Sequence, residues 1–221
     1  MSTRRRDFLA AVTGAGLAAS SFFLFQTVSA AEQSSLPEAL KNDMPFKFGQ
    51  PPGGISHISY VVEDIHRAME RFTRTLHVGP WFFAESAQLK NGIYRGQPWQ
   101  FQGSFANGNT GYLQIELIHQ ADDAPSPYTE VIKKRGYGLH HQGIAVRDFD
   151  AQLKVYAALG YEIAADSGGT GPGRAVYVDT QGEFPFFVEV TEISKSSEAM
   201  FREFYQASVR WDGKDPIRVV K

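Results

Sequence analysis

Cysteine is missing from all 221 residues, which excludes disulfide bonding and any lipid carried on a cysteine behind an export signal. Stability must come from the core or a bound ion. Excess charge is lacking too: 22 Lys and Arg stand against 24 Asp and Glu, a net −2 that gives no pull toward nucleic acid or another acidic polymer. The N-terminal apolar stretch, through Val12, Leu17, Phe22, Phe23, Leu24 and Phe25, is interrupted by Gly14, Gly16, Ser20 and Ser21. It falls short of the roughly 20 apolar residues that a retained membrane anchor needs. Ser167–Gly173 is rich in glycine, yet no helix follows to aim its N-terminus at an anion. That argues against a phosphate-binding loop and for a hairpin loop over a pocket. With 43% hydrophobic and 21% charged residues, the chain has the composition of a soluble globular protein, long enough for one domain or two small modules sharing a core.

At the start of the chain Arg4, Arg5 and Arg6 precede the apolar stretch, and Val28-Ser29-Ala30 offers a small-residue cleavage site. Arg5-Arg6-Asp7-Phe8-Leu9 resembles the twin-arginine export signal of bacteria. The resemblance implies that residues 1–30 are removed, leaving no stable membrane anchor and a mature net charge of about −4. It also implies a periplasmic protein exported already folded, by a route compatible with a site loaded beforehand.

The body of the chain repeats itself. Gly54-Ile-Ser-His57 through Asp64 aligns without a gap on Gly138-Leu-His-His141 through Asp148, and Leu113-Gln-Ile-Glu116-Leu117 resembles Phe186-Phe-Val-Glu189-Val190. In the first copy, Ile55–Val62 alternates like a strand and Asp64 is placed to cap a helix with its stripe at Ile65, Ala68, Met69, Phe72 and Leu76, ended by Gly79. About three strands follow, drawn from Trp81–Ala84, Gly92–Arg95, Trp99–Phe105 and Tyr112–Ile118. The second copy runs from a strand at Leu139–Val146 to a helix capped by Asp148, with Phe149, Leu153, Tyr156 and Leu159 as its stripe and Gly160 at its end. Strands at Tyr161–Ala164, Arg174–Val178 and Pro185–Thr191 complete it. The expected organisation is an arm over residues 31–53, a domain over 54–192 with modules 54–120 and 137–192, and a C-terminal helix and tail over 193–221. In the last segment Met200–Ala207 reads as a short helix and Trp211–Arg218 as irregular. The tail is read either as joining two chains into a homodimer or as covering one.

Two histidines and two glutamates at repeat-related positions point to one metal site shared by the halves: His57, Glu116, His141 and Glu189. Burying a carboxylate between Ile115 and Leu117, or between Val188 and Val190, is costly without a counter-charge, and a metal supplies one. Mixed N and O donors suit one divalent ion of Zn, Ni, Co, Mn or Fe. Strand alternation puts His57 on a face with Ser59 and Val61, and Glu116 with Gln114 and Ile118. By the same parity His119 and His140 face away.

This pattern resembles the vicinal oxygen chelate superfamily, with Gly138-Leu-His-His141 and Ile115-Glu116-Leu-Ile closest to its glyoxalase and methylmalonyl-CoA epimerase branch. The resemblance covers Gly54–Glu192. It implies an α+β fold of two tandem βαβββ modules forming a cupped mixed sheet around one metal, with a small-molecule substrate bound through adjacent oxygens. The activity expected is that of a metal-dependent isomerase, epimerase or lyase. Glu189 or Glu116 would serve as base beside a polarised carbonyl. A ring-cleaving Fe(II) dioxygenase using His57, His141 and Glu189, and a non-catalytic binding protein of the bleomycin-resistance kind, stay open as alternatives. Trp81, Phe83, Tyr94, Trp99, Phe101 and Gln114 are the expected substrate contacts, in a cavity apolar enough for a hydrophobic or aromatic molecule. Arg95 and Arg174 are read either as partners for a substrate carboxylate or as surface residues.

Overall fold

The computed structural model describes residues 44–169 and 173–220; the expected signal peptide and arm residues 31–43 lie outside them. Strand β1 (Ile55–Val61) alternates as its sequence requires, with His57, Ser59 and Val61 buried on one face. Ile58 and Tyr60, on the other face, pack against helix α1 (Ile65–Leu76) together with Met69 and Phe72. Asp64 caps α1 by accepting a hydrogen bond from the Arg67 amide at 2.9 Å. The helix closes at His77, in the left-handed region with φ 55°, two residues before the glycine expected to end it. Gly79 serves a different purpose: a Cβ there would sit 2.4 Å from the Trp211 ring, so the C-terminal tail can lie against it only because it is glycine.

Strands β2 (Trp81–Tyr94), β3 (Gln97–Thr110) and β4 (Leu113–Gln120) follow. The runs at Trp81–Ala84 and Gly92–Arg95 are the two ends of β2. It reads as two pieces because its register against β3 shifts between Ala84 and Ala87 and again between Leu89 and Gly92. Helix α2 (Pro127–Arg135) was not expected. It is only nine residues long, and it buries Pro127, Tyr128, Thr129 and Val131, most of one turn, so no stripe at helical spacing announces it. Its start does carry a local signal, a capping box between Ser126 and Thr129 with proline in the first turn.

The second half comprises β5 (Gly138–Val146), α3 (Phe149–Ala158), β6 (Ile163–Asp166), β7 (Ala175–Val178) and β8 (Phe187–Glu192). Asp148 caps α3 as Asp64 caps α1, accepting from the Ala151 amide at 2.9 Å. Phe149, Leu153 and Tyr156 pack inward, whereas Leu159, the expected fourth member of the stripe, is 66% exposed because the helix ends at Ala158. Helix α4 (Lys195–Ser208) is nearly twice the length read from the sequence. The expected irregular tail contains β9 (Ile217–Val219), which pairs in parallel with Trp81–Phe83 of β2. The tail's backbone pairing, unlike its composition, makes it strand. No helix among the described residues is long and apolar enough to cross a membrane.

The nine strands of the described residues form one mixed sheet in the order β3-β4-β1-β5-β8-β7-β6-β2-β9, and β2 also pairs with β3, so eight strands close on themselves. The class is α+β, as expected. The two copies meet at β1 and β5, which run antiparallel. Within each copy the first strand pairs in parallel with the last: His57 lies opposite Gln114 and His141 opposite Phe187, and in both cases the glutamate stands two residues further on. Neighbouring strands β4, β1, β5 and β8 therefore each deliver one candidate ligand to the same side of the sheet. Tyr128 and Val131 of α2 pack among Val61, Trp99, Phe101, Ile118, Tyr177 and Phe187 from β1, β3, β4, β7 and β8, closing one end of the cup.

Candidate metal centre and ligand cavity

His57, Glu116 and His141 bring ligating atoms within 4.8 Å of one another, and Glu189 joins them. His57 Nε2 lies 3.0 Å from His141 Nε2 and 3.1 Å from Glu189 Oε2. His141 Nε2 lies 3.5 Å from Glu116 Oε2 and 3.7 Å from Glu189 Oε2. Thr191 Oγ1 donates to Glu189 Oε2 at 3.0 Å. Both histidines are buried, and His57 lies against Gly143, where a Cβ would come within 1.9 Å of the ring.

The protons on these rings can be placed by following their partners. The Pro127 carbonyl can only accept, so His140 Nε2, 3.1 Å away, donates to it. Burial pushes the His140 pKa down to about 4, so the ring is neutral and its Nδ1 is an acceptor. His141 Nδ1, at 2.7 Å, must then be the donor to it. The Ser56 hydroxyl gives its proton to the Gly143 carbonyl at 3.1 Å, leaving an oxygen lone pair for His57 Nδ1–H at 3.2 Å. Both Nε2 lone pairs consequently face the centre, and two lone pairs at 3.0 Å repel unless a proton or cation sits between them. Neutral imidazole with its outer N–H anchored is the form in which histidine binds metals.

The carboxylates are set apart from one another. Burial, and then the neighbouring charge of Glu189, outweigh the pull of His57 and raise the Glu116 pKa to about 7. Burial also disfavours charge on Glu189, but His141 and His57 outweigh it and lower its pKa to about 2. On His57, burial opposes protonation, yet the hydrogen bond and charge of Glu189 prevail and raise the pKa. Without a cation Glu189 favours a proton on His57 Nε2; once that proton is given up, two imidazole nitrogens and two carboxylates converge in a buried floor, a donor set that fits a divalent cation.

His119 obeys strand parity, turning from Glu116 to place Nδ1 3.3 Å from the Val62 carbonyl. His140 obeys it only in part. It packs against the start of α2 as expected of a residue facing a helix, but β5 bulges there: Ser59 pairs with His141 and Tyr60 with Leu139, leaving His140 as the extra residue. A bulge breaks the two-residue alternation, so consecutive histidines are both fully buried and touch.

Above the floor lies a cavity of about 490 Å³, within the usual range for a small-molecule site. Trp99, Phe101 and Gln114 line it as expected. Trp81, Phe83 and Tyr94 do not, and the expectation for them is corrected. Trp81 and Phe83 alternate outward toward α1, where Trp81 Nε1 donates to Thr73 Oγ1 at 2.9 Å and Phe83 meets the His66 ring edge-on. Phe82 between them points in. Tyr94 donates its hydroxyl to Glu130 at 2.5 Å. Arg95 and Arg174 are also committed elsewhere: Arg95 to Glu130 and Asp179, Arg174 to Asp150 and the Phe149 ring. Tyr128 and Tyr177, hydrogen-bonded hydroxyl to hydroxyl at 3.1 Å, stand in the wall, as do Phe48 of the arm and Met200, Phe201 and Phe204 of α4. Nothing in their spacing marks the tyrosines as wall residues. The arm reads as polar and proline-rich, so nothing marks Phe48, and α4 reads only as a short helix.

The model of the Glyoxalase/Bleomycin resistance protein/Dioxygenase superfamily matches residues 56–178, more than half of the chain. Among solved structures, methylmalonyl-CoA epimerase from Mycobacterium tuberculosis is similar at 18% identity over 76% of this chain and 99% of that one, with a TM-score of 0.50. A hypothetical protein from Bacillus halodurans is similar at 18% identity over 64% and 94% of the two chains, with a TM-score of 0.49. At such identity the likeness is one of fold. A search of curated protein sequences returns no match. With the doubled strand-helix-strands plan and the matched residues in agreement, this chain belongs to the glyoxalase, bleomycin resistance protein and dioxygenase superfamily.

Proposed function

We propose that this protein is a metal-dependent isomerase, epimerase or lyase that moves a proton next to an oxygen-bearing carbon of a small hydrophobic or aromatic substrate. The observation that carries the reading is the convergence of two imidazole Nε2 atoms at 3.0 Å, flanked by two carboxylates of opposite acid-base character, at the foot of an apolar cavity. A divalent ion held by His57, His141 and Glu189 would supply a Lewis acid toward a carbonyl. Glu116, brought close to neutrality by burial, is the base: its carboxylate takes the proton from carbon and can return it. Glu189, in contact with His57 Nε2 at 3.1 Å and oriented by Thr191, stays a ligand. The aromatic wall keeps water from competing for the proton. The twin-arginine-like start supports action in the periplasm, for which fractionation of a tagged full-length chain is the check.

His57, His141 and Glu189, with Glu189 Oε2 3.1 and 3.7 Å from the two ring nitrogens, are also a two-histidine, one-carboxylate set, which makes an Fe(II) dioxygenase the second reading. Elemental analysis of the mature protein, purified without added metal, separates the two. About one equivalent of a metal other than iron, lost in His141→Ala, supports the isomerase or lyase. Iron would favour the oxygenase, and no metal in a folded protein would overturn both. Glu116→Gln is expected to keep its metal and lose turnover. Full turnover in that variant removes Glu116 from the role of base.

A further inference from the structure

We infer that the natural ligand is electrically neutral: a mostly apolar molecule that presents two adjacent oxygens to the histidine and glutamate floor and carries no carboxylate or phosphate. The inference rests on the metal-site reading and adds to it the charge and body of the substrate. No lysine or arginine lines the cavity among the described residues; its polar lining away from the floor is neutral, including Gln88, Asn107, Asn109 and Gln114. The two arginines that the sequence offered as partners for a substrate carboxylate are both committed elsewhere. Arg95 makes a bidentate pair with Glu130, with both contacts at 2.8 Å, and reaches Asp179 at 2.7 Å. Arg174 is held by Asp150 at 2.9 Å and lies over the Phe149 ring. Arg218 lies over the Phe82 ring, 5.7 Å from its centre, and does not line the cavity.

The floor offers an anion no more than the wall does. With Glu189 as ligand and Glu116 beside it in its ionised, base form, a divalent ion in the floor has no surplus positive charge, and neutral oxygen donors such as a ketone beside a hydroxyl suit it better than an acid. Elsewhere in the lining, Phe48, Phe201, Phe204 and Phe82 form a continuous aromatic stretch of ring contacts, with Phe82 and Phe204 stacked at 4.1 Å. An anion seated against it would lose its hydration and gain no partner. A ligand with an apolar body would bury most of its surface.

Titration calorimetry on the metal-loaded mature chain tests this with three probes: benzoin, which is a neutral aromatic hydroxyketone, its 4-carboxy derivative, and acetyl-coenzyme A. Benzoin is expected to bind, the carboxylate at least about ten-fold more weakly, and the coenzyme A thioester not measurably. Equal or tighter binding of either anion overturns the inference, and so does absence of benzoin binding at millimolar concentration. The metal reading fails separately: benzoin binding that survives removal of the metal unchanged would leave a neutral-ligand cavity and take the metal out of recognition.

Discussion

His140 shows how much one side chain can fix in another. By accepting from His141 Nδ1 and donating to the Pro127 carbonyl, it holds His141 in the tautomer whose Nε2 faces the centre. His140→Leu is therefore expected to weaken metal affinity by about 10–100-fold in calorimetry, whereas His140→Gln, which can still accept and donate, should restore most of it. Equal affinity in wild type and His140→Leu would show that the tautomer needs no such support. Gly143→Ala tests the opposite side of the site: its methyl would occupy the place of the His57 ring, so the metal should be lost from a protein that still folds. At this scale the sequence was legible wherever alternation ran undisturbed, as at His57, Ser59 and Val61 or Gln114, Glu116 and Ile118. It misled where a bulge broke the count at His140, and where aromatic content near the site, as at Trp81 and Phe83, said nothing about which face a side chain takes.

At the scale of elements, α2 and the turn after β2 depend on one another through Arg95. Its guanidinium joins Glu130 of α2 to Asp179 after β7, while Tyr94 and Gln181 also bond Glu130. Arg95→Ala is expected to cost about 1–2 kcal/mol, more than an isolated surface pair because several partners are released together, and thermal denaturation would measure it. The cluster also sets a pH dependence. Burial disfavours charge on Glu130, but its hydrogen bonds from Arg95, Tyr94 and Gln181 outweigh that and hold its pKa at about 2, below the ordinary 4.5. A lowered carboxyl pKa stabilises the fold above 4.5, and this contribution drains away as pH falls from there toward 2. Glu130→Gln should flatten that part of the stability profile, and an unchanged slope would refute the assignment. Capping aspartates made α1 and α3 readable, since the signal was local. β9 was unreadable because three residues become a strand only through the edge of β2 that awaits them.

For the molecule as a whole, the repeat disclosed most: it gave both modules, their strand-helix-strands order and four residues that the fold assembles on adjacent strands. Such a site, built from both halves, couples metal to global stability. Saturation at a hundred times the dissociation constant should add about 2.7 kcal/mol to unfolding free energy, read as a raised melting temperature that a chelator reverses. What the repeat could not disclose is how the sheet closes. Along its outer edge β2 is covered by β9 at Trp81–Phe83 and meets β6 only at Ile93 and Tyr94, and Ala84, Ala87, Gln88 and Leu89 between these contacts border the cavity. The barrel is thus a split ring. The β2–β6 seam rests on two residue pairs and the Arg95 N–H to Ala164 carbonyl bond, against six pairs along the β1–β5 seam that carries the histidines, so the ring is weakest on the side away from the candidate metal site.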